Sequence, residues 1–271
     1  MSDKITSSPG RPEHPLAPLR RFTRARIALG RSGDSLPTAG LLDLGLAHAM
    51  ARDAVHADLD THRIAGQLKA AGLVSVSLRS AATDRACYLR RPDLGRRLDD
   101  RSREQIRSQL AAHPPTVVFI IADGLSAVAP ERYAVPVILA VRELEPDWFV
   151  GPIFIAEQAR VALGDEVGEL LEAEIAVILI GERPGLSAAD SLGIYLTYAP
   201  RVGRSDAQRN CISNVRGEGL SPDDAARTLH YLMIQARRLR LSGVGLKDDR
   251  EELASGEGAR KQALPRVAGI D

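Results

Sequence analysis

Thr116-Val117-Val118-Phe119-Ile120-Ile121 and Ile175-Ala176-Val177-Ile178-Leu179-Ile180 decide the fold. Each is a continuous apolar run dominated by β-branched residues, the first ending at Asp123-Gly124 and the second at Gly181. A strand with one wet face alternates apolar and polar residues. A run without alternation fits a parallel strand covered on both faces. Between the two, Gly164-Asp165-Glu166-Val167-Gly168-Glu169-Leu170-Leu171 reads as a helix with acids near its positive N-terminal end. Strands alternating with helices imply an open α/β sheet.

Working towards the C-terminus, Ser221 is placed to cap a helix, with Pro222 at its first position and Asp223 and Asp224 in its first turn. Ala225, Leu229, Leu232, Ala236 and Leu239 make one stripe, Arg237, Arg238 and Arg240 fall in the last turn, and Gly243 is the expected stop. Towards the N-terminus, residues 35–110 read as mainly helical. Ser35-Leu36-Pro37-Thr38 predicts a helix start. The Leu41, Leu42, Leu44, Leu46, Ala47, Ala49, Met50 run that follows is apolar on most sides, which predicts a well-buried helix. His62 to Ala71 predicts a second helix stopped by Gly72, and Val74-Ser75-Val76-Ser77-Leu78 a short strand. Arg90 to Arg97 reads as a basic loop or short helix. Pro9, Pro12, Pro15 and Pro18 oppose any continuous helix or strand. The expected organisation is a flexible tail over 1–20, a smaller mainly helical N-terminal domain over 21–105, a Rossmann-like domain over 106–246 and a second tail over 247–271.

Composition narrows the function classes. The 271 residues suit one large domain or two small ones. Lys and Arg number 36 against 35 Asp and Glu, a net charge of +1, which argues against a dedicated nucleic-acid binder. Aromatics are 4%, so the core must come from Leu, Val, Ile and Ala. No apolar run is long enough to span a membrane, and Met1 to Thr6 has no secretory h-region. Cys87 and Cys211 are too few for a disulfide framework and are expected to stay reduced in a cytoplasmic protein.

No motif completes a catalytic or metal centre. Gly124-Leu125-Ser126-Ala127 and Gly185-Leu186-Ser187-Ala188 lack the second glycine of a nucleophile elbow, and that tetrapeptide is too short to count as an internal repeat. Asp60-Thr61-His62 approaches the Asp-x-His-x-x-Gly signature of some cobalamin enzymes, but its glycine comes one position late and no strand precedes it, so His62 is not expected to hold cobalt. His48, Asp53 and His56 lack the further ligands a metal needs. Phosphate-binding glycine loops are missing as well. Catalytic and metal residues are therefore not assigned. The strand-end loops remain, because ligands of open α/β sheets bind outside the carboxyl ends of strands. Gly181-Glu182-Arg183-Pro184-Gly185 reads equally as a ligand loop or as a tight turn with an internal ion pair and a solvated Glu. Asn210-Cys211-Ile212-Ser213-Asn214-Val215 has strand character but small polar groups, which either an amide-rich ligand or backbone pairing would satisfy.

Several stretches together resemble the small subunit (light chain) of ethanolamine ammonia-lyase. They are Ala25 to Gly33, Tyr88 to Arg97, Ala122 to Ser126, Gly181 to Leu186, Tyr198 to Arg201 and Asn210 to Asn214, in the family order and spanning roughly residues 22–245. The resemblance implies a role in converting ethanolamine to acetaldehyde and ammonia with adenosylcobalamin, whose cobalt–carbon homolysis supplies the radical. It implies a large subunit that carries the substrate and most catalytic groups, several copies of each chain, and a small subunit that closes over the cobalamin at their interface. Val161, Glu182 and Cys211 match the family's cofactor contacts, and the resemblance carries over no catalytic residue and no metal ligand. Some family members have a long N-terminal extension that directs them into a bacterial microcompartment. Residues 1–20 do not resemble it, so a free cytosolic enzyme stands level with an encapsulated one. The alternative from another class is a non-catalytic ligand-binding or interaction domain of the same fold.

Overall fold

The computed structural model describes residues 14–108 and 114–249; most of both expected tails lies outside the described residues. Within the part of the N-terminal tail that is described, Ala17–Phe22 forms a short 3-10 helix with proline in its first turn. The fold is mixed α/β. Strands β1 (Ser75–Arg79), β2 (Val117–Ala122), β3 (Ile153–Glu157), β4 (Ile175–Gly181), β5 (Leu192–Tyr198) and β6 (Asn210–Val215) form one sheet in the order β1-β3-β2-β4-β5-β6. The pairs β1–β3, β3–β2 and β2–β4 are parallel; β4–β5 and β5–β6 are antiparallel. The two apolar runs are thus the adjacent central strands, paired from Val117 with Ile175 to Ala122 with Ile180 and buried along their whole length. β1 comes from the N-terminal side of residue 105 and yet is hydrogen-bonded to β3 of the same sheet.

Side chains alternate across the sheet, so each strand feeds two cores. Phe119, Ile121, Val177, Leu179, Ile194 and Ile212 face one core, built with helices α2 (Thr61–Ala70), α5 (Val128–Leu144) and α7 (Pro222–Leu239). Val118, Ile120, Phe154, Ile178 and Ile180 face the other, built with α4 (Asp100–Arg107) and α6 (Leu163–Leu170). Side-chain caps fix the helix starts: Asp60 accepts from Arg63 N at 2.9 Å, Asp99 from Ser102 N at 2.7 Å and Ser221 from Asp224 N at 3.1 Å. Asp165 and Glu166, the acids expected at the start of α6, are buried. Asp165 pairs with Arg209, and Glu166 pairs with Arg103 at 2.8 Å while accepting from Leu98 N at 2.7 Å.

The structure corrects three local expectations. Helix α1 (Thr38–His56) forms as expected, but Pro37 occupies its cap without a side-chain bond, and Ser35 sits in a turn with Ser32. Only Ala47 and Ala54 of this helix are buried. Leu41, Leu42, Leu46 and Met50 are 58%, 67%, 61% and 56% exposed. A helix that is apolar all round needs walls on every side, and this chain supplies one. Finally, α7 ends at Arg240, which takes the left-handed conformation at φ 54°, and not at Gly243. Gly243 serves close approach instead, since a side chain there would strike the backbone of Ala207 and Gln208.

Candidate functional site

β2 leads through α5 to β3 on one side of it, whereas its other neighbour, β4, continues to β5 on the far side. The carboxyl ends of β2 and β4 are thus where an open sheet offers a crevice. Here the two ends are locked together. Gly124 has φ +56°, and a side chain on it or on Gly181 would run into the other loop's backbone. Leu125 N donates to Gly181 O at 2.9 Å. Beneath this contact Asp123 is buried. It accepts from the backbone N–H groups of Gly124, Gln158 and Ala159 at 2.8, 2.8 and 3.0 Å and meets Arg85 at 3.2 Å. Burial pushes the Asp123 carboxyl up to about 6 against the downward pull of these donors. Asp123 therefore ties the ends of β2 and β3 together, and the left-handed Gln158, at φ 56°, is held by it.

Glu182 follows β4 directly and is half-buried. Its backbone N–H donates to Ser191 O at 2.9 Å. Its carboxylate accepts from Ser191 Oγ and Ser213 Oγ, both at 2.5 Å, and from Asn214 N at 3.4 Å. The ion pair expected within its own loop does not form; the carboxylate reaches across to β6 instead. A bulge makes this reach productive. Leu192 pairs with Val215 but Ile194 with Ile212, so β6 carries one extra residue and Asn214 sits at φ 63°. Two consecutive residues, Ser213 and Asn214, thereby face one carboxylate. Gly193 leaves the room, because a side chain there would lie 2.9 Å from Glu182 Oε1.

Cys211 lies on β6 opposite Tyr195 and is exposed. By strand alternation Cys211 and Ser213 share the face opposite Ile212, which is turned into the α5–α7 core. On that face both stand exposed. Partial desolvation and the negative charge of Glu182 raise the Cys211 thiol, against the hydrogen bond with Tyr195. The sulphur is thus a neutral thiol at physiological pH, and Cys87 is likewise unbridged. Val161, between β3 and α6, is half-buried and packs against the same core layer as Tyr195. Tyr195 lies within electrostatic reach of both Cys211 and Glu182. The structure therefore brings Glu182 and Cys211 together around Ser213 and Tyr195, with Val161 at the neighbouring strand-to-helix turn on the same side of the sheet.

The other sequence candidates do not assemble. Ser126 Oγ donates to Ala189 O at 2.8 Å, and among the described residues no cluster of His, Cys, Asp and Glu could hold a metal ion. Asp60 caps α2. Asn210 is satisfied within the chain, its side chain bridging Gly243 and Leu246. No helix among the described residues is long and apolar enough to cross a membrane. Ser191 and Tyr195 escape sequence reasoning, whereas Ser213 lies in the polar strand stretch already singled out.

Residues 13–247 match the family model described as ethanolamine ammonia-lyase light chain. A relative from Xanthomonas campestris pv. campestris (strain B100), named ethanolamine ammonia-lyase small subunit, is 52% identical over 259 residues, covering 94% of this chain and 95% of the relative. One of the same name from Pseudomonas syringae pv. tomato is 54% identical over 242 residues, covering 88% and 84%. A third, from Pseudomonas aeruginosa (strain UCBPP-PA14), is 53% identical over 253 residues, covering 92% and 93%.

Proposed function

The chain belongs to the ethanolamine ammonia-lyase light-chain family, and on that premise we propose that it is the small subunit of an adenosylcobalamin-dependent carbon–nitrogen lyase. Its reaction converts ethanolamine to acetaldehyde and ammonia. The chain works with a large subunit and is inactive alone, and the complex belongs in the cytoplasm, free or within a microcompartment. When bound, adenosylcobalamin supplies the radical that starts the reaction. This chain's residues hold the cofactor and close its surroundings.

One observation carries the cofactor reading. A carboxylate offers about four acceptor sites. The Glu182 side chain spends three of them on Ser191, Ser213 and the Asn214 N–H. A preorganised acceptor is left at an open sheet face, suited to an amide N–H or a ribose hydroxyl, both of which the cofactor carries. Val161 offers an apolar edge. The neutral Cys211 thiol permits close approach without presenting a thiolate. The residues therefore fit the group. In the same reading, residues 106–246 form a Rossmann-like unit in which β2, β3 and β4 alternate with α5 and α6. Residues 21–105 add mostly helix, together with β1.

The test is reconstitution. The purified chain, the purified large subunit and their mixture are each assayed for acetaldehyde with ethanolamine and adenosylcobalamin. Activity is expected in the mixture only. A mixture that co-purifies, binds the cofactor and yet produces no acetaldehyde rejects the assignment.

A further inference from the structure

Beside Val161 opens a cavity of about 600 Å³ whose lining includes Arg96, Arg97, Arg160, Arg204 and Arg209. Two carboxylates, Asp93 and Asp206, also line it, and the buried Asp165 pairs with Arg209 behind it, so five cations stand against three acids. The acids are largely committed: Asp93 pairs with Arg91 at 2.8 Å and Asp206 with Arg209 at 2.7 Å. Arg96, Arg97 and Arg160 have no carboxylate partner among the described residues. Such an excess of cations in one concavity repels itself unless an anion enters.

A second observation comes from hydrogen bonding. Arg209 is buried, with 3% of its side chain exposed, and its Nε–H has no acceptor. The Nε–H of Arg160 is buried and unpaired as well. An unsatisfied buried donor on a charged group is costly, and both of these belong to residues that line the cavity. Arg160 is preset for such a ligand, because its guanidinium lies 4.3 Å from the centre of the Tyr88 ring. Planar guanidinium forks match the oxygens of a phosphate. The cavity also adjoins the site described above: Val161 lines it, and Asp206 reaches Tyr195 electrostatically.

We propose that this arginine-lined cavity binds a phosphate oxyanion, and that in the assembled enzyme the oxyanion is the phosphodiester of the cofactor's nucleotide tail. The second clause rests on the cobalamin reading of Val161, Glu182 and Cys211. The cavity would then fix the tail while the β5–β6 face meets the rest of the cofactor.

The experiment uses the complex of this chain with its large subunit. Two variants, Arg160→Gln and the double variant Arg96→Gln/Arg97→Gln, are compared with the wild type. Binding is measured by equilibrium dialysis with two probes, adenosylcobalamin and adenosylcobinamide. The second keeps the corrin and the adenosyl group but lacks the nucleotide tail and its phosphodiester. Arg160→Gln should weaken adenosylcobalamin binding roughly ten- to a hundredfold, with a smaller loss for the double variant. Adenosylcobinamide affinity should not change. Inorganic phosphate at millimolar concentration should compete with adenosylcobalamin in the wild type and less in Arg160→Gln. Equal losses for both probes, or no loss for either, overturn the proposal. Loss of assembly in both variants overturns it too, by showing that these arginines hold the subunits together and not an anion. A wild-type complex that assembles but binds neither probe refutes the cobalamin reading itself, and phosphate binding that is still lost in Arg160→Gln would then retain the oxyanion site alone.

Discussion

Replacing Glu182 separates two roles that one side chain holds. In Glu182→Ala, Ser191 Oγ and Ser213 Oγ each lose a charged acceptor at 2.5 Å, and Asn214 N loses a weaker one at 3.4 Å. A hydrogen bond to a charged group contributes about 1.5–3 kcal/mol when water cannot replace it. Here Ser213 is exposed and Glu182 only half-buried, so water recovers much of the loss. The expected destabilisation is about 2 kcal/mol, which for a chain of this size lowers the melting temperature by roughly 4–8 °C. Glu182→Gln keeps the shape and can still accept from one serine while donating to the other, so it should lose less than about 1 kcal/mol. Cofactor affinity should respond differently. Both variants lose the charged acceptor, and adenosylcobalamin should bind the complex roughly ten- to a hundredfold more weakly. Thermal unfolding and cofactor titration of the complex provide the two readouts. If Glu182→Gln assembles and binds adenosylcobalamin as tightly as the wild type, the carboxylate is a tether and not a cofactor contact. If Glu182→Ala melts with the wild type, the bridge from β4 to β6 does not hold the sheet end.

Gly181→Ala should be far more damaging, because the new methyl group meets the carbonyl oxygens of Ser126 and Asp123 in the locked β2–β4 ends; loss of more than about 3 kcal/mol or of soluble protein is expected, and a melting temperature equal to wild type contradicts that packing. Asp165→Ala leaves Arg209 buried with only Asp206 and the Arg204 carbonyl, so a loss of about 3 kcal/mol is expected, partly recovered by Asp165→Ala/Arg209→Met. Absence of any recovery would mean that the cost lies elsewhere. For Asp123, the folded carboxyl near 6 lies above its ordinary 3.8, so the native state holds the extra proton between those values. Stability from this group is full below about 4 and is lost as pH rises through about 6, by at most roughly 3 kcal/mol. Urea midpoints across that window should show this component, and Asp123→Asn should remove it; an unchanged slope in the variant argues that Asp123 stays ionised throughout.

Much of this architecture is legible from residue order, and the misses have physical causes. β2 and β4 announce themselves because strands covered on both faces need no polar residues. α7 does so through Ser221, Pro222 and its apolar stripe. α5 is hidden because Pro130 and Pro136 fall inside it, although its buried contacts with α7 and β4 outweigh the lost backbone bond. β3 is short, and Gly193 interrupts β5 to make room for Glu182. The open face that collects Glu182, Ser213 and Cys211 depends on strand order, and no local pattern encodes it. The exposure of α1 has a related cause: periodicity reports which residues are apolar, not whether the same chain covers them. Of the arginine cavity only the basic stretch Arg90 to Arg97, which supplies Arg96 and Arg97, is visible, since Arg160, Arg204 and Arg209 come from different turns and meet only after folding.

The position of β1 has a consequence for synthesis. β1 pairs only with β3, so Ser75 must wait for Ile153. At about 5–20 residues per second, the ribosome releases that partner several seconds after β1 has emerged. During that interval Val76 and Leu78 belong to a strand with no neighbour on either side, a long-range pairing of the kind that slows folding and invites intermolecular pairing. β2 and β4 have no such wait to the same extent, because a single βαβαβ stretch brings β2, β3 and β4 together. β1 can therefore dock only once β3 has emerged, before β4 to β6 are made, and a pause in translation before β3 is complete should be the moment at which this chain is most readily captured by chaperones or lost to aggregation.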